Sequence, residues 1–229
     1  MIKILQNWLE IREASKFLSR NALPKHGHNV EKNWDFYQLY NIVKSLPLET
    51  KIIDLGCGDL FALKLLSAMG FKNVYGIDLS LSLRNRLSQI YIMWKKSSLR
   101  VPFHLYRGDL TKTSFSEQMF DLAISLSVIE HGIEIEKFFH ESYRLLKPGG
   151  ILFITTDYWE EKINIRQDNR PFRLDWKIFC KRDIEDIINL AYKFNFSFYD
   201  NSAIPACSDK CIIWNNQEYT FLALVFKRR

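Results

Sequence analysis

The chain alternates between short apolar runs and longer stretches in which apolar residues recur every three or four positions. Short runs rich in β-branched and aromatic residues are typical of buried strands, and the longer period is typical of amphipathic helices. The pattern predicts strands over residues 52–55, 74–78, 102–106, 120–126, 151–156, 196–199 and 219–226. It predicts helices over residues 2–19, 34–46, 61–66, 80–96, 135–146 and 184–192. This alternation predicts an α/β fold with a mostly parallel sheet.

The first internal strand leads into a glycine turn. Ile52-Ile53-Asp54-Leu55 is followed by Gly56-Cys57-Gly58-Asp59, and the next predicted helix starts at Phe61. Glycine permits a backbone with positive φ and lets a ligand approach without meeting a Cβ. The amides at the start of the following helix favour a negatively charged group. An ordinary strand–turn–helix joint can also carry two glycines, but the stretch suits a small, partly anionic cofactor.

A second carboxylate favours the cofactor interpretation. Asp78 ends the next predicted strand, about 20 residues further on, where an acidic residue reaches a ribose hydroxyl in nucleotide-binding α/β folds. The dinucleotide fingerprint has a third glycine, whereas Leu60 and Phe61 occupy this part of the chain. An NAD-dependent dehydrogenase is therefore an alternative that the glycine pattern argues against.

Together, Asp54–Gly58 and the strand ending in Asp78 resemble the cofactor-binding half of class I S-adenosylmethionine-dependent methyltransferases. Lys147-Pro148-Gly149-Gly150, which precedes a strand, and Glu130-His131, which follows one, add to the resemblance. It implies a Rossmann-like three-layer sandwich with a seven-stranded, mostly parallel sheet and an antiparallel last strand. It also implies S-adenosyl-L-methionine as cofactor. We assign residues 1–47 to an N-terminal helical extension or lid and residues 48–229 to the methyltransferase domain.

The resemblance implies roles for individual residues. Asp78 would hold the ribose hydroxyls, the backbone at Gly56 and Gly58 would approach the methionine part, and Asp54 would receive its ammonium. Asp109 takes the place of an acidic residue that meets the adenine amino group, although Gly-Asp is also common in turns. The cofactor-binding residues expected in this way are Asp54, Gly56, Gly58, Asp78, Leu79, Asp109, Leu110 and Ser127.

The acceptor is expected to meet Glu130, His131, Tyr158 and Trp159. His131 is the candidate catalytic base, because histidine titrates near neutral pH and an oxygen or nitrogen nucleophile must lose a proton. A structural or cofactor-orienting role for this histidine is an equal alternative. Glu130 and His131 also match part of an E-x-x-E-H set that holds a divalent ion in some relatives. Ser127 stands where the first glutamate of that set belongs, so no metal is predicted.

Composition narrows the partners. The 229 residues are 47% hydrophobic and 14% aromatic, which is typical of a folded globular protein. The net charge is +6, but the lysines and arginines are scattered and form no dense basic block. This pattern argues against nucleic acid as a partner. The resemblance implies a small-molecule acceptor with an oxygen or nitrogen nucleophile, such as a lipid, sugar or secondary-metabolite precursor. An RNA-directed or non-catalytic module of the same fold is the alternative.

The cysteines and the apolar runs predict a location. Four widely spread cysteines lack zinc-site spacing and are expected to be reduced thiols. No apolar stretch is long enough for a transmembrane helix. Glu10 and Arg12 interrupt the N-terminal apolar pattern that a signal peptide needs. The sequence therefore predicts a cytoplasmic protein without a membrane span.

Overall fold

The computed structural model describes residues 1–82, 87, 89, 91, 102–166, 168–198, 203–207 and 209–229. The strands are β1 Ile2–Ile4, β2 Lys51–Leu55, β3 Asn73–Asp78, β4 His104–Arg107, β5 Phe120–Leu126, β6 Leu146–Tyr158, β7 Phe196–Phe198, β8 Ile212–Trp214 and β9 Gln217–Arg228. The helices are α1 Trp8–Arg20, α2 Asn33–Val43, α3 Phe61–Ala68, α4 Ile135–Leu145 and α5 Lys181–Lys193. Short 3-10 helices cover Val30–Lys32 and Pro171–Arg173.

The described strands form a nine-stranded sheet. Its main order is β1-β9-β6-β5-β2-β3-β4, and β7 and β8 also pair with β9. Strands β2 to β6 pair in parallel, whereas β9 is antiparallel to β6. The predicted mostly parallel sheet with an antiparallel last strand is confirmed. The count rises from seven to nine because β1 and β8, which were not predicted, add to β9.

The two faces of the sheet bury separate apolar cores. Successive side chains of a strand point to opposite faces, so Ile52 packs with the core under α1–α3 and Ile53 with the core under α4 and α5. On β9, Phe221 and Leu222 divide in the same way. Helices therefore cover both faces, and the predicted three-layer sandwich is confirmed.

The helix predicted over residues 2–19 is wrong at its start. Residues Ile2–Ile4 form β1, which pairs with β9 so that Ile2 lies opposite Leu224. Ile2 and Ile4 are buried on one side, which is the period of a strand. Asn7 then caps α1, since its side chain accepts a hydrogen bond from the Glu10 amide. The N-terminal segment is thus part strand and part helix.

Other boundaries shift by a few residues. The third predicted strand starts at His104 rather than at 102, and α2 ends at Val43 rather than at 46. Strand β6 runs to Tyr158, two residues beyond the predicted end. The helix predicted over residues 80–96 lies largely outside the described residues. Among the helices that the structure describes, none has both the length and the apolar character needed to cross a membrane.

The strand order creates a crevice beside β2. Strand β2 lies between β3 and β5. After β2, the chain first adds β3 and β4 on one side of it and then adds β5 and β6 on the other side. In open parallel sheets, ligands bind at such a switch point, outside the carboxyl ends of the strands. Residues 56–59, which follow β2, and residues 127–131, which follow β5, meet at this place.

Candidate active site

The turn after β2 requires a glycine at its first position. Gly56 has a φ of +93°, and a Cβ there would lie 2.7 Å from both Cγ atoms of Val128. The amides of Gly56 and Cys57 both donate to the carbonyl of Ile77, at 2.9 and 3.1 Å. Gly58 has a φ of +37° and no side chain within 4 Å of the position of a Cβ. The turn is therefore packed tightly at Gly56 and left open at Gly58.

Asp54 and Asp78 lie on adjacent parallel strands, as the sequence predicts. Asp54 is paired with Gly76 across β2 and β3, two residues before Asp78. The Gly58 amide donates to Asp78 Oδ2 at 3.0 Å, and the Ser80 amide donates to Oδ1 at 2.8 Å. Both bonds fix the carboxylate in place, and each oxygen keeps acceptor capacity for a ligand hydroxyl.

Asp54 is a buried carboxyl group near two other carboxylates. It is 3% exposed, and its side chain accepts no hydrogen bond from the residues described. Burial, and then the charges of Asp59 and Asp78, raise the pKa of Asp54 well above its usual value. A ligand with a positive charge would relieve this cost, because an opposite charge favours the ionised carboxylate.

The chain before β2 packs against the turn. The Nε2 atom of His26 lies 2.9 Å from Asp59 Oδ2, and its ring stacks on that of Phe61 at 3.9 Å. Phe36 of α2 stacks on the same ring at 5.8 Å. Burial alone would raise the pKa of Asp59, but the hydrogen bonds from His26 and the Phe61 amide outweigh it and lower that pKa. The N-terminal segment therefore contacts the turn both by ring stacking and through the His26–Asp59 hydrogen bond.

The remaining predicted cofactor residues lie around this turn or after β4. Leu79 is 58% exposed, and its carbonyl accepts a hydrogen bond from Arg107 Nε at 3.0 Å. Asp109 is exposed, and its Oδ1 accepts bonds from the amide and the hydroxyl of Thr111, each at 2.8 Å. Leu110 is buried in the core under α4 and α5. Asp109 thus has the bonds of a turn aspartate and a side chain that solvent reaches.

Ser127 connects the loop after β5 to the N-terminal segment. Its backbone has a φ of +53°, and its amide donates to the Thr155 carbonyl at 2.9 Å. The ammonium of Lys32 donates to Ser127 Oγ at 2.5 Å. The same hydroxyl donates to Asp35 Oδ2 at 3.3 Å. A residue predicted to touch the cofactor therefore also holds a lysine.

Three buried carboxylates surround that lysine. We call Lys32, Asp35, Glu130 and Asp157 the acidic cluster. The carboxylates are at most 3% exposed. Each has one oxygen that accepts a hydrogen bond, namely Glu130 Oε2 from Thr156 at 3.1 Å, Asp157 Oδ2 from Trp176 at 2.9 Å and Asp35 Oδ2 from Ser127. The other oxygen of each carboxylate is buried and has no partner in the described part of the chain.

The cluster holds its charges in a low-dielectric setting. Burial raises the pKa of all three carboxylates, and that of Asp35 rises to about 6. Burial would lower the pKa of Lys32, but Asp35, Asp157 and Glu130 outweigh it and raise that pKa. The lysine is therefore charged at neutral pH, and the carboxylates are placed to take up a proton.

His131 directly follows Glu130 of the acidic cluster in the chain. Its Nδ1 atom is buried and has no partner among the described residues. Burial, and then the positive charge of Lys32, lower the pKa of His131 to about 4. The ring is therefore neutral at pH 7 and a weaker proton acceptor than an ordinary histidine.

Tyr158 does not join the cluster. It is fully buried in the core under α4 and α5, on the face of the sheet opposite Phe153. Trp159 is half-buried, and Lys210 Nζ lies 4.9 Å from the centre of its ring. Because side chains alternate along β6, Asp157 rather than Tyr158 turns toward Lys32.

Sequence reasoning missed Lys32, Asp35 and Asp157. The apolar run of β6 predicts that this strand ends at residue 156, which leaves residues 157 and 158 outside it. Continuing the strand period would have placed Asp157 on the same face as Phe153. Asp35 sits between Trp34 and Phe36 in an apolar stretch, which is a signal of a buried charge. Among the described residues no three acidic, cysteine or histidine side chains are grouped as metal ligands, and the absence of a metal remains a prediction.

Comparison with known proteins identifies a family of related sequences. Residues 53–154 match the family model described as a methyltransferase domain. The ubiquinone biosynthesis O-methyltransferase of Pelagibacter ubique (strain HTCC1062) is 26% identical, over 86% of this chain and 91% of that protein. The 24-methylenesterol C-methyltransferase 3 of Arabidopsis thaliana is 26% identical over 58% of this chain, but only 35% of that protein is covered.

A solved structure shares the fold. Geranyl diphosphate methyltransferase, in complex with GPP and sinefungin, superposes with a TM-score of 0.64 and 12% identity. The match covers 85% of this chain and 77% of that one.

The site also fits the cofactor that the family implies. S-adenosylmethionine carries a free ammonium, which suits the unpaired buried carboxylate of Asp54, and ribose hydroxyls, which suit the fixed acceptors of Asp78. The open backbone at Gly58 leaves room for a ligand beside both. The fold, this turn and the family match thus converge: the chain belongs to the class I S-adenosylmethionine-dependent methyltransferases, with S-adenosylmethionine as methyl donor.

Proposed function

We propose that this methyltransferase acts on a hydroxyl oxygen of a small molecule. The observation that carries the proposal is the acidic cluster, with three buried carboxylate oxygens that have no partner among the described residues. A hydroxyl offers such oxygens a proton, first as a hydrogen bond and then by transfer. The Pelagibacter ubique relative is an O-methyltransferase, and this chain covers 91% of its length. That relative supports the choice of oxygen as the methylated atom.

The cofactor-side residues bind and orient. S-adenosylmethionine, when bound, supplies a methyl group on a positively charged sulfur. Asp54 would pair with the ammonium, Asp78 would hold the ribose hydroxyls, and the backbone at Gly56 and Gly58 would allow close approach. Leu79, Asp109, Leu110 and Ser127 complete the proposed cofactor contacts. Correct alignment of the acceptor with the methyl group is the main task of these residues.

The acceptor-side residues manage a proton. The unpartnered oxygens of Glu130 and Asp157 would receive the hydroxyl proton in a site that excludes water. His131, whose ring is neutral, would position the acceptor through Nδ1 and is a weaker candidate for the base. Trp159 would contribute an aromatic surface, whereas Tyr158 supports β6 from the opposite face of the sheet.

The N-terminal segment would complete the site. Residues 1–47 contribute His26, which packs on the cofactor turn, and Lys32 and Asp35, which enter the acidic cluster. We propose that they act as a lid over the methyltransferase domain of residues 48–229. All four cysteines are free thiols, which suits the proposed cytoplasmic location.

The first experiment measures binding by calorimetry with S-adenosylmethionine. The second incubates the protein and cofactor with a panel of phenols, alcohols and amines and locates the transferred methyl group by mass spectrometry and NMR. We expect binding, and methylation at oxygen. No binding at millimolar cofactor would overturn the cofactor roles, and transfer only to nitrogen or carbon would overturn the choice of oxygen.

A further inference from the structure

Lys32 is a cation in the middle of the acidic cluster, and no sequence motif accounts for it. Its ammonium donates to Ser127 Oγ at 2.5 Å and lies 3.7 Å from Asp35 Oδ2. The ring of Phe221 covers another side, with its centre 4.0 Å from Nζ. An ammonium has three donors, so these contacts fix its position without using its full donor capacity.

This ammonium is also linked to the cofactor turn through residues 127 and 128. Ser127, which accepts its hydrogen bond, directly precedes Val128, and the side chain of Val128 fills the space in front of Gly56. Lys32 retains 28% exposure of its side chain. The side chain of Lys32 is therefore partly exposed and is bonded to the loop that packs against the cofactor turn.

The sequence around Ser127 suits a cation supplied by a side chain, namely the ammonium of Lys32. Ser127 stands where the E-x-x-E-H set has its first glutamate. The hydroxyl there can accept from an ammonium and donate to Asp35 in the same geometry, and both bonds are present. Glu130 and Asp157 lie near enough for their charges to raise the pKa of Lys32.

We propose that Lys32 is a catalytic residue that binds the reacting oxygen of the acceptor and stabilises it as an anion. The acceptor O–H bond breaks, its electron pair stays on oxygen beside the ammonium, and the proton passes to the unpartnered Oε1 of Glu130. No other reactant is needed for this step. The role rests on the proposed oxygen acceptor and deepens it, since it assigns the group that makes the hydroxyl nucleophilic.

The experiment uses 4-nitrophenol as a probe, because its ionised form absorbs visible light. The probe is titrated with pH in the presence of protein saturated with S-adenosylhomocysteine. An opposite charge within contact distance shifts such a titration by about one unit or more. We expect the bound probe to ionise at a lower pH than the free probe in the wild-type protein and in Lys32→Arg, and to lose that shift in Lys32→Met.

Lys177→Met is the matched control. Lys177 also lies over an aromatic ring, that of Phe179, and pairs with Asp183 at 2.7 Å, but 53% of its side chain is exposed. This variant should behave as wild type. If Lys32→Met fails to fold in a thermal melt, Lys32→Gln removes the charge and keeps a donor, and the same loss is expected.

The outcomes separate this role from the proposed function. An unchanged shift in Lys32→Met, a wild-type protein that binds the probe without a shift, or no probe binding would each overturn the role of Lys32. If oxygen methylation still occurs in those cases, the proposed function stands alone. Failure of the wild-type protein to bind S-adenosylhomocysteine would overturn both.

Discussion

The cofactor turn and the acidic cluster both place carboxylates at the carboxyl ends of parallel strands, but they are built differently. In the turn, backbone amides hold Asp78. Asp54, on the neighbouring strand, pairs with the residue two positions before Asp78. In the cluster, side chains hold one another, and the bond between Lys32 and Ser127 joins residues 95 positions apart. One site is made by a local stretch of chain and the other by the complete fold.

This difference corresponds to the difference between residues inside the family match and residues outside it. The family match covers residues 53–154 and so includes the turn, Ser127 and Glu130. It leaves out Lys32, Asp35 and Asp157. The proposed cofactor contacts therefore lie in the matched region, whereas the proposed acceptor chemistry depends on residues on both sides of it.

The largest effect is expected from Gly56→Ala. The added Cβ would lie 2.7 Å from Val128, and the φ of +93° is unfavourable for alanine. Positive φ costs about 1–2 kcal/mol and overpacking about 1–3 kcal/mol, so the free energy of unfolding should fall by roughly 2–5 kcal/mol. Chemical denaturation measures this fall, and cofactor affinity should drop with it.

Two further variants identify the cause of the stability loss in Gly56→Ala. Gly27→Ala is the control, because Gly27 has open space around its Cβ position and no positive φ. The double variant Gly56→Ala with Val128→Ala should recover the part due to overpacking. Equal stability of Gly56→Ala and Gly27→Ala would show that the turn is not packed as described.

The next largest effect is expected at Glu130. Glu130→Gln removes the proposed proton acceptor, and general base catalysis contributes roughly 100-fold or more. We expect kcat to fall by about this factor, while calorimetry shows unchanged cofactor affinity. His131→Gln should lower kcat less, because the neutral ring is a weak base.

Glu134→Gln controls for the loss of a carboxylate, since Glu134 is exposed and pairs with Lys137. A larger loss of kcat in His131→Gln than in Glu130→Gln would return the role of base to the histidine.

Asp54→Asn tests the charge in the turn through pH. The raised folded pKa of Asp54 means that the folded state holds this proton more tightly than the unfolded state. Its stabilising contribution is therefore present below the unfolded value, about 4, and is lost as pH rises through the folded value.

Without cofactor, the asparagine variant should be more stable than wild type at pH 7, by about 1.4 kcal/mol for each unit of the shift. Its affinity for S-adenosylmethionine should fall roughly 10- to 100-fold, as expected for a lost charged hydrogen bond. Denaturation at pH 5 and pH 7 measures the first effect and calorimetry the second. A variant less stable than wild type at pH 7 would contradict the assigned cost.

The sequence specifies the turn more fully than the cluster for physical reasons. Gly56, Gly58 and Asp78 act through backbone geometry that a short pattern encodes, and β5 begins and ends at the predicted residues, Phe120 and Leu126. The sequence around Lys32 does not indicate that it contacts Ser127, because this contact depends on how α2 packs over the sheet. The predicted strand ends at residue 156, whereas β6 continues to Tyr158. Because side chains alternate along a strand, these two residues decide that Asp157, and not Tyr158, faces the site.

The central claim is that Asp54 and Asp78 hold S-adenosylmethionine at the glycine turn. Calorimetry of cofactor binding to wild type and Asp78→Ala tests it most directly, with Asp168→Ala as control, since Asp168 is exposed and pairs with Arg166. We expect wild type and Asp168→Ala to bind alike and Asp78→Ala, still folded in a thermal melt, to bind at least about 10-fold more weakly. Equal affinity in all three proteins would contradict the account.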